Sequence, residues 1–196
     1  MTFFDTLSRS FADVDTSKGT DTMQFLEASE GLVKMFDLLG SSAFSVVQSD
    51  MNGNIKKIRE RYLSNPTAND TLENLCATEA PEKKRTATEG LLWLNRGLDF
   101  TAKALRRSVD DPSEELNVSF TKSYEVTLKK FHSFVVRPVF SLAMKACPYR
   151  KDFLEKLGGD NETTKQQMTV WLSALENIVA RNNALFQSHP EYIKGM

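Results

Sequence analysis

Apolar positions recur at three- and four-residue spacings along nearly the whole chain, and short polar breaks divide them into segments of helical period. After Asp21 come Phe25, Leu26, Leu32, Val33, Phe36 and Leu39, with Asp21 or Thr22 placed to cap the start and Gly40 to end it. Ser41 or Ser42 opens the next helix, expected over 45–63. Its stripe runs through Phe44, Val47, Met51, Ile55, Ile58 and Tyr62 and stops at Asn65-Pro66. A short helix is expected within 67–78, through Leu72 and Leu75, broken by Ala80-Pro81. The stretch 86–107 is apolar on more than one face, through Leu91, Leu92, Trp93, Leu94, Leu98, Phe100, Ala104 and Leu105, which predicts a central buried helix. Beyond the turn Asp110-Asp111-Pro112-Ser113, one helix over 113–121 leads into a second over 122–145, with Tyr124, Leu128, Phe131, His132, Val136, Phe140 and Ala143 on a broad face. Pro138 is expected to kink that helix and free the carbonyl of Phe134. Gly158-Gly159-Asp160-Asn161 reads as a turn, and 162–187 as a long amphipathic helix. Phe134-Val135-Val136 sits inside the helical period, so no segment reads as a strand. The fold class is all-α, as a single domain over 1–196, with 1–21 expected to be a flexible N-terminal arm because 13–21 is polar and contains Gly19.

Composition narrows the functional classes. Thirteen Phe and seven Met supply bulky, adaptable apolar walls, suited to an ordinary helical core or to a cavity for flexible chains. A net charge of −1 argues against broad nucleic-acid binding, because the basic clusters at Lys56, Lys57, Arg59 and Arg61 and at Lys83, Lys84 and Arg85 are offset elsewhere. Two cysteines, Cys76 and Cys147, make no disulfide framework. Neither His132 nor His189 has a Cys or His neighbour at ligand spacing, so no metal site and no cofactor are expected. No apolar run approaches the ~18 residues of a membrane span, and Met1-Thr2-Phe3-Phe4-Asp5 lacks a basic, then apolar, leader pattern. A cytoplasmic location is therefore expected.

The chemistry concentrates in Asp50-Met51-Asn52-Gly53-Asn54-Ile55-Lys56-Lys57. On a helix, Asp50, Asn54 and Lys57 fall within about 60° of one another. One face thus offers a carboxylate acceptor, an amide that donates and accepts, and an ammonium donor. That set suits a hydroxyl-rich ligand, and it equally describes a solvated helix face with a charge pair. Gly53 costs up to ~1 kcal/mol inside a helix, which suggests close approach of a backbone or ligand there. His132 reads as a core histidine or a ligand donor, and Trp93 alone as core. No Gly-x-Ser-x-Gly, phosphate loop or Cys-His pair is present, so no catalytic residue is assigned, although Asp50 and His132 on different helices could form an acid–base pair.

Three further stretches carry a resemblance. The Asp50–Lys57 run, Leu91-Leu92-Trp93-Leu94-Asn95-Arg96-Gly97-Leu98, Lys130-Phe131-His132, and Ala146-Cys147-Pro148-Tyr149-Arg150-Lys151-Asp152-Phe153-Leu154 together resemble the glycolipid transfer protein family, in the family's order. The fungal members linked to heterokaryon incompatibility look most similar. The resemblance spans about 25–157. It implies a two-layer sandwich of about eight helices that opens to admit lipid chains. It also implies a monomeric, non-enzymatic carrier of neutral glycosphingolipid that touches membranes transiently. By resemblance, Trp93 stacks on the first sugar, while Asp50, Asn54 and Lys57 bind its hydroxyls. Asp50 also accepts the ceramide amide N–H, and His132 donates to the amide carbonyl. Phe44, Val47, Phe140, Ala143, Met144 and Phe153 line the chains, and Phe134, Lys145 and Tyr149 meet the membrane.

Some positions depart from the animal members. Phe134 stands for a membrane-facing Trp, Lys145 for an aromatic, and Glu89 for an apolar residue. Relatives that carry ceramide phosphate place Lys where Asn54 stands and Arg where Trp93 stands. On the wheel count, Arg96 points about 60° from Trp93. A neutral sugar is therefore expected. A ceramide-phosphate carrier or sensor, a lipid hydrolase and a helical interaction module remain the alternatives.

Overall fold

The segment that is apolar on more than one face forms helix α4 (Thr86–Asp110), and four other helices pack directly against it. The computed structural model covers residues 1–196 and holds eight α-helices and no strand. The others are α1 (Thr22–Met35), α2 (Ser45–Ser64), α3 (Leu72–Glu79), α5 (Leu116–Val126), α6 (Arg137–Lys145), α7 (Arg150–Leu157) and α8 (Glu162–Ser188). Helix α4 packs against α2, α3, α5 and α8, giving the all-α, two-layer arrangement that the periodicity and the resemblance imply. A single cluster of 45 buried hydrophobic residues includes members of every helix, so one core serves the whole chain.

Local chemistry explains the boundaries. The Asp21 carboxylate accepts from Gln24 N at 2.9 Å, Thr71 Oγ1 from Asn74 N at 3.1 Å, and the Asn161 side chain from Thr164 N at 3.0 Å. Helix α4 has no cap from its own preceding residue. The carboxylate of buried Glu79, at the end of α3, accepts from Ala87 N (2.9 Å), Thr88 N (2.6 Å) and Thr88 Oγ1 (2.8 Å) instead. The α3–α4 turn is thereby tied to the start of the central helix.

Residues 1–21 lie along the core. Phe3 N donates to Leu157 O at 2.8 Å, Thr2 Oγ1 to Gln167 Oε1 at 2.6 Å, and Phe4 and Phe11 pack on Trp171 with ring centroids 5.8 and 5.6 Å away. Gly158 makes room for this: its φ is +131°, and a Cβ there would come within 2.9 Å of Thr2.

The expected helix over 122–145 does not form. Helix α5 ends at Val126, Lys129–Phe131 makes a 3-10 turn, His132 is extended, and α6 begins at Arg137. Pro138 does not kink a helix; it sits in the first turn of one, where its missing N–H needs no partner. The backbone N–H groups of Val136 and Arg137 both reach Ser133 O, at 3.1 and 3.2 Å.

The α4–α5 connection rests on Glu114, which is 9% exposed. Its carboxylate accepts two bonds from Arg107, at 2.9 and 2.8 Å, with further bonds from Ser119 Oγ and Lys122 Nζ. These partners, Arg107 foremost, hold the carboxyl at about 2 against an ordinary 4.5, despite opposing desolvation. The folded value is the lower one, so this stabilisation is complete above pH 4.5 and is lost as pH falls toward 2. Such a shift is worth at most about 3 kcal/mol, and screening at the exposed Arg107 and Lys122 ends reduces it to ~1–2 kcal/mol. Glu114→Gln is expected to lose that amount at pH 7 and to flatten the decline in stability between pH 4.5 and 2, as measured by denaturant titration across that range.

Candidate functional site

Helices α2 and α4 cross at a point set by glycine. A Cβ on Gly90 would lie 3.2 Å from the carbonyl oxygen of Asn54 and from Lys57 Cβ, and one on Gly97 would meet the Met51 side chain at 3.6 Å. Gly90, Trp93, Leu94 and Gly97 share one face of α4 by their spacing. Small residues at both ends of that face let α2 lie close, and the crossing sets Asn54 and Lys57 beside Trp93's helix. Gly53 plays no such part: nothing in the protein lies within 4 Å of a Cβ built there, so the expected close approach of a backbone is absent.

The polar face of α2 is assembled as a chain of contacts. Lys57 Nζ donates to Asn54 Oδ1 at 3.3 Å, and Asn54 Nδ2 donates to Asp50 Oδ2 at 3.5 Å. Both bonds are at the long end of the useful range, although Asn54 is buried at 4% exposure. Asp50 as a residue is open to solvent, yet the protein packed around its carboxyl pushes its pKa above the ordinary carboxylate range, and Lys57 offsets that only partly.

Trp93 is half-buried in an aromatic group built mainly from the segment between α5 and α6. The Phe131 ring meets it edge-on at 6.2 Å, and the His132 ring lies nearly parallel to it at 6.3 Å. Arg96 corrects the wheel count. Its side chain folds back so that Cζ sits 4.6 Å from the Trp93 centroid and 3.7 Å from that of Phe131. No carboxylate pairs with it, and burial pulls its pKa down. Beside it opens a groove of about 330 Å³ that includes Asn95, Asp99, Lys130, Asn183 and Gln187 in its lining. A flat ligand on Trp93 must therefore use the indole surface that Arg96 leaves free.

His132 is not on a helix. Its Nδ1 lies 3.0 Å from Tyr124 Oη, its carbonyl accepts from Arg137 Nε at 3.0 Å, and its ring packs 4.5 Å from Phe140. Burial first, then Arg137, holds its pKa below the usual histidine value, so the ring is neutral near pH 7. Sequence reading missed Tyr124 and Arg96 as members of this group. The i,i+3 spacing of Trp93 and Arg96 could have signalled their contact, whereas the Tyr124–His132 and Arg96–Phe131 contacts depend on how 127–136 folds back.

From His132 an aromatic path leads inward. Centroid separations are 4.5 Å to Phe140, 6.4 Å on to Phe100, 5.5 Å to Phe120, 6.2 Å to Phe44 and 5.6 Å to Phe36. Phe44, Val47, Phe140, Ala143, Met144 and Phe153 are all buried in the core cluster. The cavity among Phe36, Leu105, Phe120 and Phe153 measures only about 10 Å³, roughly one water, so the interior is closed at this end of the path. At the surface, Phe134 is 83% and Tyr149 73% exposed, and Lys145 is exposed as well. Val139 and Leu142, which sequence reading did not single out, are exposed three residues apart on α6. No group of acidic, His or Cys side chains could hold a metal ion, and no helix is long and apolar enough to cross a membrane.

Comparison with known proteins bears on this arrangement. The family model described as Glycolipid transfer protein matches residues 20–159. A glycolipid transfer protein of Aureobasidium melanogenum is 57% identical over 179 residues, covering 91% of this chain and 89% of the relative. Among solved structures, the fungal glycolipid transfer protein HET-C2 superposes with a TM-score of 0.92 at 47% identity, covering 96% of this chain and 98% of its own. The glycolipid-transfer-fold domain of FAPP2, described as selecting simple glycosphingolipids, superposes with a TM-score of 0.87 at 31% identity, with 97% of each chain covered.

The two glycines of α2 and α4 make opposite predictions. Gly53→Ala is expected to raise stability by ~0.5–1 kcal/mol, because helix propensity improves and nothing is displaced. Gly90→Ala is expected to lower it by ~1–3 kcal/mol, because the new methyl meets the backbone of α2. Chemical denaturation of both variants checks the pair, and equal effects would mean that the crossing is not set at Gly90.

Proposed function

The chain belongs to the glycolipid transfer protein family, and from that premise we propose that it binds one neutral glycosphingolipid and carries it between membranes. The observation that supports the reading most is a junction. The loosely bonded Asp50–Asn54–Lys57 face and Trp93 lie across one helix crossing, and the aromatic path into the core starts at His132 next to Trp93. A lipid with a polar head and apolar tails has the same division.

In this reading the first sugar lies on the free surface of Trp93. Asp50, Asn54 and Lys57 exchange hydrogen bonds with its hydroxyls, improving on the 3.5 and 3.3 Å bonds they make to each other. Asp50 accepts the ceramide amide N–H, and His132 donates to the carbonyl. An amide taken out of water needs both partners, since each one left unmade costs about 1–3 kcal/mol. The hydrocarbon chains enter along Phe140 toward Phe44 and Phe153, moving side chains aside because the interior is closed at that end. At ~0.8 kcal/mol per buried CH₂, two chains hold a lipid in a bilayer by well over 10 kcal/mol, and an equivalent apolar site offsets that barrier. No bond is made or broken, no cofactor is needed, and the carrier works as a cytoplasmic monomer.

Docking on the bilayer uses Phe134 and Tyr149 at the interface, with Lys145 near lipid phosphates. Val139 and Leu142 extend the apolar part of this face along α6.

Asp50→Val, Trp93→Ala and His132→Leu are each expected to cut glycosylceramide transfer between vesicles by ~10-fold or more while leaving helical content unchanged. Normal transfer by all three would remove the site assignment. The unsubstituted protein is expected to move glucosyl- or galactosylceramide and little ceramide phosphate, because a phosphate on Trp93 would face the Asp50 carboxylate. Efficient transfer of ceramide phosphate alone would instead mean that Arg96 and Lys57 outweigh Asp50.

Phe134→Ala is expected to weaken partitioning onto vesicles several-fold and to slow transfer, without changing affinity for a soluble short-chain glycosylceramide. An unchanged partition measured by sedimentation takes this face out of the docking surface.

A further inference from the structure

Tyr124 contributes to the site without facing the ligand. It is 4% exposed, and its ring is held by Phe140, stacked at 5.4 Å and 12°, and by Phe100, edge-on at 6.2 Å. The hydroxyl of this fixed ring has one side-chain partner, His132 Nδ1 at 3.0 Å. His132 Nε2 has none.

The direction of that single bond decides which nitrogen of His132 carries the proton. If Nδ1–H donated to the phenol oxygen, the phenol hydrogen would be left among aromatic rings with no acceptor, at the cost of an unsatisfied buried donor. If the phenol donates, both atoms are satisfied. Nδ1 is then the unprotonated nitrogen, and the ring's proton must sit on Nε2. Burial pushes the Tyr124 phenol up, which keeps its hydrogen in place, and holds the imidazole neutral, which leaves Nδ1 a lone pair to accept with.

We infer that Tyr124 is the positioning residue of the lipid site: by donating to His132 Nδ1 it fixes the Nε2–H form of the imidazole and aims that N–H away from itself, toward a carbonyl acceptor. The inference rests on the lipid-carrier reading for its consequence, but the protonation pattern is a property of the free protein. The other form would present a bare nitrogen to the carbonyl and repel it. His132 alone can adopt either form, so the donor role assigned to it requires a second residue to choose between them. The chain supplies Tyr124 at that position, on the last full turn of α5 before the break.

The test reads the imidazole directly. The chain has only two histidines, so a long-range proton–nitrogen correlation spectrum of uniformly labelled free protein at neutral pH shows two rings, and His189→Gln assigns them. The His132 ring is expected to show a protonated Nε2 and an unprotonated Nδ1. In Tyr124→Phe, which keeps the ring and its packing, the His132 signals are expected to shift toward a mixture of the two forms. Affinity for a short-chain glucosylceramide should fall about five- to tenfold, with helical content unchanged. A protonated Nδ1 in the unsubstituted protein overturns the inference outright, with no variant needed. An unchanged form and unchanged affinity in Tyr124→Phe overturn it too. If the unsubstituted protein shows the Nε2–H form and binds no glycosylceramide, Tyr124 still sets the proton and it is the carrier reading that fails.

Discussion

The close crossing of α2 over α4 at Gly90 is the constraint on which the rest depends. Helix axes normally stand 8–10 Å apart, and the side chains between them set the spacing. A glycine at the contact removes that spacer, so the backbone carbonyl of Asn54 comes to rest where a methyl group would be crowded at 3.2 Å. One consequence is that Asn54 is buried while its neighbours Asp50 and Lys57 remain near the surface. A buried amide with only long bonds to its own helix is poorly satisfied, and natural cores seldom leave polar groups so. The crossing thus creates a polar face with hydrogen-bonding capacity to spare, directly beside the helix that presents Trp93.

The apolar half of the site is built on a different principle. A preformed tunnel would be either wet or an empty cavity, and large empty cavities are costly. The aromatic path from His132 to Phe36 is built of rings in contact, and the cavity at its inner end, beside Phe36 and Phe120, measures only about 10 Å³. Rings can rotate about two torsions each, and Met35 and Met144 nearby are more adaptable still. The abundance of Phe and Met, ambiguous in the composition alone, acquires a use here: the same residues form a dry core when no ligand is bound and a lining when chains enter. Helix α6 borders this path through Phe140, Ala143 and Met144. It is a nine-residue helix that packs on α5 and on the short turn Ser42–Phe44, with Val139 and Leu142 facing out.

Much of this was legible in the chain. The cap at Asp21, the turn over Gly158–Asn161, the stop at Asn65-Pro66 and the all-round apolarity of α4 are local signals that the helices obey, and Gly40 ends a 3-10 turn that follows α1 after Met35. The polar face of α2 was legible because it repeats with the helical period. The role of Gly90 was not, because a glycine in a helix has no local signature that separates packing from chance, and the more conspicuous Gly53 proved to face open space. Arg96 shows the limit of the wheel: the count gives the direction of Cβ, and a long side chain can return across 60° to stack on an aromatic face.

The largest departure, the break between α5 and α6, is also the most informative. Periodicity favoured a continuous helix over 122–145, and the pattern of Tyr124, Leu128, Phe131 and His132 satisfies it. In such a helix Tyr124 and His132 would be eight residues apart, about 12 Å along the axis, and their side chains could not bond. The folded chain instead ends α5 at Val126, turns through Lys129–Phe131, and brings Tyr124 Oη to 3.0 Å from His132 Nδ1. Pro138 makes the break affordable by restarting the helix where its missing N–H goes unneeded. Local propensity gives way here to a contact that only the tertiary fold can make, and such conflicts are expected to mark functional positions. The same break leaves Phe134 and Val135 exposed at the surface, so the residue that grips the polar junction and those suited to a membrane come from one stretch of chain.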